Sequence, residues 1–354
     1  MSIQLVSLRF MIGLTACLSF GCTTQAASKG AASDGSGAAV SPDAACIGPS
    51  TATFLARGTA RGLAVDEGFV YTASNAGVVR VPRAGGAVET LTAGESPVAL
   101  AADDASLYVF SSHAVGAADP QGKVMSGLAL FALPRAGGSA RILVEGAYGT
   151  AMASDGNTLY WAAASGVQRL ALAGGASTTT SLGHARVEGL ALGRDAVFLA
   201  VSELGASGGP AVGSVRHMAK AGGEVAMIVD GLDHVTSIAL DEDRVYFTDA
   251  GSFDGSGATV RSARLDGSGV TTIANAVSSS VAVDAHAVYY TTESAIVKVD
   301  KASGSSTVVA TGVRSPGNLT VRGGNLYWTN AAGGVAFSEV DPPYGIMTAC
   351  KFTQ

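Results

Sequence analysis

The stretch that decides the fold is Gly323–Gly333, GGNLYWTNAAG, which nearly repeats an earlier segment, Glu242–Gly251, EDRVYFTDAG. When the chain is aligned on the aromatic residue of this motif, seven copies are found, at Tyr71, Tyr108, Tyr160, Phe198, Tyr246, Tyr289 and Tyr327. Successive copies are 37 to 52 residues apart, and Val or Leu precedes the aromatic residue in every copy. Agreement at fixed offsets indicates an internal repeat with one structural unit per copy.

Each repeat has the turn signals that are expected between four short strands. Five residues before the aromatic residue, an Asp recurs in five copies, at Asp66, Asp103, Asp155, Asp241 and Asp284. We expect this Asp to open a turn and to accept hydrogen bonds from the turn amides. A second turn signal, Arg83–Gly86 (RAGG), recurs between the third and fourth strands of later copies. Four antiparallel strands in about 40 residues are typical of a β-propeller blade.

The seven copies predict an all-β fold, a seven-bladed β-propeller of four-stranded antiparallel blades. The last repeat lacks a fourth strand, because Val335–Val340 is followed by Asp341, Pro342 and Pro343. A strand-like segment without a repeat of its own, Ala52–Arg57 (ATFLAR), precedes the first copy. We therefore expect this N-terminal strand to complete the last blade and to close the ring.

Two copies resemble a known repeat family. Tyr327–Asn330 (YWTN) and Tyr246–Asp249 (YFTD), with the later Leu265–Gly269 (LDGSG), resemble the YWTD repeats of the low-density-lipoprotein-receptor propellers. They are similar, more loosely, to the NHL-type propellers of secreted bacterial proteins, and the resemblance covers residues 51–350 in outline. Since YWTD propellers have six blades, six is the alternative to seven. Propellers host unrelated activities, so the resemblance implies a fold and not a function.

The N-terminal region reads as an export signal followed by a tether. Residues 1–21 hold one positive charge and then an apolar run too short to span a bilayer. Leu18–Cys22 resembles a bacterial lipobox, which implies that Cys22 is lipidated and that the protein reaches the cell envelope, in the periplasm or at the outer membrane. The alternative is an ordinary signal peptidase site and a secreted soluble protein. Residues 22–50 are rich in Ala, Ser and Gly and predict a flexible tether before a propeller domain over 51–354.

Charge and cysteine content narrow the function classes further. The formal net charge is −6, and no basic stripe is present that could neutralise phosphates, so nucleic acid is excluded as the expected partner. Cys17 leaves with the signal and Cys22 is the predicted lipid anchor. Only Cys46 and Cys350 remain in the folded part, and in an oxidising compartment such a pair predicts a disulfide across the ring closure.

A binding surface is predicted on one face of the propeller. Loops from second to third strands share a face with the connections between blades, and three of these loops are enlarged: Ser112–Gly127, Glu203–Gly213 and Gly251–Thr259. Enlarged loops on one rim favour binding of an envelope protein, peptide or glycan without catalysis or a cofactor. The alternative is that these Gly- and Ala-rich insertions are slack surface loops.

Polar residues predicted around the channel mouth on that face form the candidate site. Its members are Asn75, His113, Glu188, Glu203, Asp249, Glu293 and Asn330. Four of them, Glu203, Asp249, Glu293 and Asn330, resemble in residue type the metal-centred mouth of gluconolactonase-like propellers. That resemblance implies an alternative function, a hydrolase or lyase that uses Ca²⁺ or another divalent metal.

Overall fold

Every regular element in the described part of the chain is a β-strand. The structure is a computed structural model, and it describes residues 50–51, 53–57, 60–74, 77–93, 97–115, 125–164, 166–203, 212–252, 254–311, 313–330 and 345–350. All of these residues belong to one unit, which spans residues 38–354. None of them lies in a helix long and apolar enough to cross a membrane.

The described residues form 29 strands. The first part of the chain forms β1 (Ser50–Thr51), β2 (Thr53–Arg57), β3 (Leu63–Val65), β4 (Phe69–Ser74), β5 (Gly77–Pro82), β6 (Glu89–Ala93), β7 (Ala99–Ala102), β8 (Ser106–Val115), β9 (Met125–Pro134), β10 (Arg141–Glu145), β11 (Met152–Ser154), β12 (Thr158–Ala163), β13 (Gly166–Ala171) and β14 (Thr178–Ser181). The second part forms β15 (Arg186–Leu192), β16 (Ala196–Glu203), β17 (Val212–Ala219), β18 (Val225–Leu232), β19 (Val235–Leu240), β20 (Arg244–Asp249), β21 (Thr259–Arg264), β22 (Thr271–Ala274), β23 (Val281–Val283), β24 (Ala287–Thr291), β25 (Ala295–Asp300), β26 (Ser306–Thr311), β27 (Pro316–Arg322), β28 (Asn325–Asn330) and β29 (Gly345–Cys350).

Among the described residues, these strands form seven sheets. Six sheets have four antiparallel strands, in the orders β3-β4-β5-β6, β10-β9-β8-β7, β11-β12-β13-β14, β15-β16-β17-β18, β19-β20-β21-β22 and β2-β29-β28-β27. The remaining sheet has β23 to β26 in the same order, and β1 pairs in parallel with β26 as a fifth strand. The predicted propeller of four-stranded antiparallel blades is therefore confirmed. The six four-stranded sheets match the alternative count of six, and the five-stranded sheet holds the copy of the repeat around Tyr289.

The repeated aromatic residue lies in the second strand of each sheet, which is buried on both faces. In β20, Val245 and Phe247 pack against residues of the preceding sheet, including Ala200. The intervening Tyr246 packs against the following sheet, where it contacts the cluster around Val288. Successive side chains of a strand point to opposite faces, so an unbroken apolar run is what a sheet buried between two others requires.

The first strands of the sheets line a central channel. Each contacts the first strand of the next sheet along the chain, and β27 contacts β3, so that the series closes on itself. Small side chains are common in these strands, as Ala64 and Ala101 illustrate. Because the strands converge on the axis, bulky side chains would not fit there.

The predicted ring closure is present, with one correction. β2 pairs antiparallel with β29, with Thr53 opposite Thr348 and Arg57 opposite Gly345, so the N-terminal strand does complete the last sheet. The third strand of that sheet, however, is Gly345–Cys350, which pairs with β28 along its full length. The segment predicted for that place, Val335–Val340, lies outside the described residues. Pro342 and Pro343 separate the two segments, and proline has no N–H to donate to a sheet.

The cysteine prediction needs a smaller correction. Cys350 ends β29 inside the last sheet, opposite Asn325, and does not follow the sheet as expected. Cys46 lies outside the described residues, so the disulfide stays a prediction. The strand Ser50–Thr51 pairs with Ala310 and Thr311, which brings the chain just after Cys46 to the outer edge of the neighbouring sheet.

Candidate functional site

The channel is a cavity of about 370 Å³ that the starts of all the first strands line. Because residues at matching repeat positions line it, all first strands begin at the same end of the channel. We call this end of the propeller the loop face. The residue before the large apolar position of each repeat lines the cavity, and it is always small or polar: Gly62, Ala99, Ala151, Gly189, Ser237, Ser280 and Asn318. The recurrence of a small or polar residue at this position is visible in the sequence, although it was not used to predict the channel lining.

Hydroxyl groups of the channel wall join neighbouring sheets. The Val281 amide donates to Ser237 Oγ at 3.2 Å, and the Leu319 amide donates to Ser280 Oγ at 2.9 Å. Ser279 Oγ donates to the Pro316 carbonyl at 2.6 Å. These hydroxyl groups therefore hold neighbouring sheets together.

Among the predicted site residues whose side chains the structure describes, Glu188 lines the channel. Its side chain is 18% exposed, and its Oε1 lies 3.2 Å from Arg186 Nε and 4.0 Å from His234 Nε2. Arg61, three repeats earlier in the chain, lines the same channel and is exposed. The mouth thus presents a carboxylate and a guanidinium, a combination suited to a polar ligand.

Asp249 and Asn330 are brought to equivalent places but serve the backbone. Asp249 is 2% exposed, and its carboxylate accepts hydrogen bonds from the amides of His234, at 2.9 Å, and Gly251, at 3.2 Å. Asn330, also 2% exposed, accepts one from the Arg314 amide at 2.8 Å. Both side chains fix the connection that enters the first strand of their own sheet. Both side chains are buried beside this connection, and neither is among the residues that line the channel cavity.

The acidic groups of the predicted metal set do not meet. Glu203 pairs with Arg216 on the neighbouring strand β17, and Glu293 is exposed beyond the end of β24. Within the described residues, no group of three or more His, Cys, Asp or Glu side chains is close enough to hold a metal ion. Asn75 and the side chain of His113 lie outside the part of the chain that the structure describes.

The recurring Asp forms a belt on the face opposite the loop face. In all five copies its Oδ1 accepts amide hydrogen bonds across the turn, as predicted, at distances of 2.6 to 3.1 Å. In four copies the Oδ2 accepts the hydroxyl of the repeat Tyr; the pairs are Asp66–Tyr71, Asp103–Tyr108, Asp241–Tyr246 and Asp284–Tyr289. The Asp therefore ties the turn to the second strand.

A cation from the next sheet completes the belt in three places. Arg135 pairs with Asp66, Lys220 Nζ lies 3.1 Å from Asp155, and Lys301 Nζ lies 2.7 Å from Asp241. Each cation occupies the first position of the turn between the third and fourth strands. In the sheet β19–β22 this turn position is Leu265. The sheet before it has Gly193 and Phe198 at the positions of the recurring Asp and Tyr.

The belt shifts the acidity of its members. Burial raises the pKa of Asp241, but hydrogen bonds from Lys301, Tyr246 and two backbone amides outweigh burial and lower the pKa to about 2. Burial, followed by the Asp241 carboxylate, raises the pKa of the Tyr246 hydroxyl well above its usual value. A carboxylate kept ionised and a phenol kept neutral form a structural clamp, not a proton-transfer pair.

Comparison with known proteins shows the fold alone. No protein-family model and no curated protein matches the chain. Among solved structures, the GH74 enzyme of Niastella koreensis matches with a TM-score of 0.58 at 15% identity, over 79% of this chain and 52% of that one. PorZ, a bacterial surface component of the type-IX secretion system of Porphyromonas gingivalis, matches with a TM-score of 0.54 at 13% identity, over 78% and 36%. The WD40 domain of Neurospora crassa Pan2 matches with a TM-score of 0.51 at 9% identity, over 84% and 90%.

The chain spans about half of the GH74 enzyme and about a third of PorZ. At identities this low, the matches establish a β-propeller and carry no activity with them.

Proposed function

We propose that this chain is an exported, lipid-anchored propeller that binds a protein, peptide or glycan through its loop face at the cell envelope. The observation that carries the proposal is that two hairpins rise above the rest of this face. Strands β8 and β9 have ten residues each, and β16 and β17 have eight, whereas β4, β5, β12 and β13 have six. Four extra residues extend a strand by about 13 Å, so the hairpin of β8 and β9 extends well beyond its neighbours.

Apolar side chains are exposed on the loop face. Leu128 at the start of β9 is 41% exposed, Val212 at the start of β17 is 49% exposed, and Val277 before β23 is 59% exposed. Tyr148, between β10 and β11, is 47% exposed and is the one large aromatic side chain so exposed among the described residues. Aromatic residues are enriched at binding interfaces, because they supply contact area at low entropic cost.

Described residues of the third enlarged loop are joined by hydrogen bonds within the loop. The Ser252 amide donates to the Ser256 carbonyl at 2.9 Å, and the Gly255 amide donates to the Ser252 carbonyl at 2.7 Å. Gly255 lies against Val277, since a Cβ at Gly255 would be 3.1 Å from Val277 Cγ2. A loop fixed in this way supports an exposed apolar side chain instead of burying it, which suits a preformed contact surface.

Several finer assignments belong to the same proposal. Residues 1–21 act as a lipoprotein-type signal, Cys22 is the lipid anchor, and residues 22–50 are the tether. The five-stranded sheet acts as a full blade, which makes seven, and the repeats are of the YWTD-like type. Similarity to a bacterial surface component supports an envelope location.

Site-specific photo-crosslinking in cells tests the binding face. A benzoylphenylalanine at Tyr148 or Val277 should give discrete crosslinked products or, for a glycan partner, binding to envelope polysaccharide that Tyr148→Ser weakens. Val88 and Val270, which are 47% and 45% exposed near the opposite face, are the matched control positions. Equal crosslinking from both faces, with no effect of Tyr148→Ser, contradicts the proposal. Labelling with a fatty-acid analogue that Cys22→Ser abolishes tests the anchor.

A further inference from the structure

We propose that a cleft between the sheets β3–β6 and β7–β10 binds a small aromatic molecule that carries one hydrogen-bonding oxygen. The cleft has a volume of about 360 Å³, and we call it the Ser111 cleft. Val78 and Leu91 line it from one sheet, and Val109, Ser111 and Phe131 line it from the other. It shares no lining residue with the central channel.

The cleft lies beside one of the two repeats that have a small residue, Thr72 or Val109, where the other five have a large one. The residue after the repeat aromatic packs against the preceding sheet, and it is large in five sheets: Trp161, Leu199, Phe247, Tyr290 and Trp328. In the sheet β7–β10 this position is Val109. Sheets at similar spacing with a valine in place of a tryptophan leave unfilled volume. The space that an aromatic side chain fills elsewhere is open here.

A buried hydroxyl faces this space without a partner. Ser111 is 5% exposed, and its Oγ has no hydrogen-bond partner among the described residues. The equivalent residues of two other repeats, Asp249 and Asn330, accept hydrogen bonds from backbone amides. Burying an unpaired hydroxyl costs free energy, and a ligand oxygen at this place would remove that cost.

The size and access of the cleft define the ligand. An apolar cavity of about 150 Å³ accommodates benzene, so the Ser111 cleft has room for a substituted ring. Apolar side chains supply most of the lining, and Gly138 and Ala140 at its edge are exposed, which leaves an entry path from solvent. A neutral ring with a single hydroxyl matches this combination of apolar walls and one polar group.

The test compares p-cresol with p-xylene, in which a methyl group replaces the hydroxyl. We expect p-cresol to bind the purified propeller in saturation-transfer NMR and calorimetry, and Ser111→Ala to weaken it roughly threefold to tenfold. Binding of p-xylene should not change in that variant. Val109→Trp, which copies Trp161 and Trp328, should abolish binding of both probes. Val109→Leu, which copies Leu199, is the milder alternative if the tryptophan variant does not fold.

Ser202→Ala is the matched control, because Ser202 Oγ is also buried without a partner among the described residues but lies in β16. This control should leave both affinities unchanged. Absence of binding by either probe at millimolar concentration overturns the proposal, as does binding that survives a folded Val109→Trp protein. Equal weakening of both probes by Ser111→Ala overturns the assigned hydrogen bond. None of these outcomes depends on the envelope partner of the loop face.

Discussion

Arg83 of the first complete sheet donates a hydrogen bond from Nε to the hydroxyl of Tyr327 in the last sheet, at 2.7 Å. The guanidinium carbon also lies 5.6 Å from the centre of the Tyr327 ring. Further bonds reach the carbonyls of Arg322, at 3.2 Å, and Glu67, at 3.2 Å. This residue therefore joins the two ends of the repeat series on the face opposite the loop face.

Arg83→Ala should destabilise the propeller. The side chain is 14% exposed, and its removal leaves the Tyr327 hydroxyl and backbone carbonyls without this donor, so we expect a loss of about 1 to 3 kcal/mol. Urea unfolding measures the change, with Arg141→Ala at an exposed site as the control. In a double-mutant cycle with Tyr327→Phe, the loss in the double variant should be smaller than the sum of the two single losses. A loss no larger than that of Arg141→Ala would show that other contacts join the first complete sheet to the last one.

Asp241→Asn should destabilise the protein in a pH-dependent way. The folded pKa of about 2 is below the unfolded value of 3.8, so the ionised carboxylate favours the folded state above about pH 4. We expect a loss of about 2 kcal/mol at neutral pH that shrinks as the pH falls through 2. Unfolding free energies of both proteins between pH 2 and 7 measure it, with Glu293→Gln as an exposed control. A difference that is constant over this range would contradict the assignment.

Asp249→Ala should lower stability whether or not divalent metals are present. Its carboxylate accepts amide hydrogen bonds that the variant loses, and we expect a cost of about 1 to 3 kcal/mol. Thermal unfolding with Ca²⁺, with Zn²⁺ and with a chelator measures the effect. Glu203→Gln, which removes a charge from a side chain that is 43% exposed, should change little. A metal-induced rise in the midpoint that either substitution abolishes would support the hydrolase or lyase alternative.

Cys46 and Cys350 should form a disulfide in exported protein. The bond would tie the N-terminal segment to β29, and loop closure over nearly the whole domain gives an upper stabilisation of roughly 5 kcal/mol. Peptide mapping without reductant measures the bond directly. Two free thiols in protein isolated from the envelope would exclude it, and a normal thermal midpoint for Cys46→Ser would make it dispensable.

Local features of the repeat were predictable from the sequence, because they depend on short offsets. The Asp that opens each turn lies two and three residues before the amides that donate hydrogen bonds to it, so the roles of Asp66 and Asp284 could be predicted without knowing their neighbours in space. The pairing of ATFLAR with the last sheet followed from counting strands. The partner strand was misplaced by several residues, because Val335–Val340 and Gly345–Cys350 are both strand-like and only pairing with Asn325–Asn330 distinguishes them.

The candidate site was less predictable, because its geometry depends on contacts between distant parts of the chain. The sequence places Asp249 and Asn330 at the end of a second strand, but the connection beside which they are buried cannot be seen in the motif. Val109 is different, since alignment of the residue after each repeat aromatic already marks it as small. What that small residue leaves open appears only when the neighbouring sheet is in place.

The pairing of β2 with β29 imposes an order of assembly on a chain that is synthesised from its N-terminus. β2 has no antiparallel partner until β29 has emerged, whereas the four-stranded sheets between them are each built from consecutive segments. Closure of the last sheet therefore has to wait for β29, and a nascent or truncated chain that ends before β29 exposes the edge of β28. Such a chain would be an unclosed ring with unpaired strand edges. These edges would be open to proteases and to pairing with a second copy of the chain.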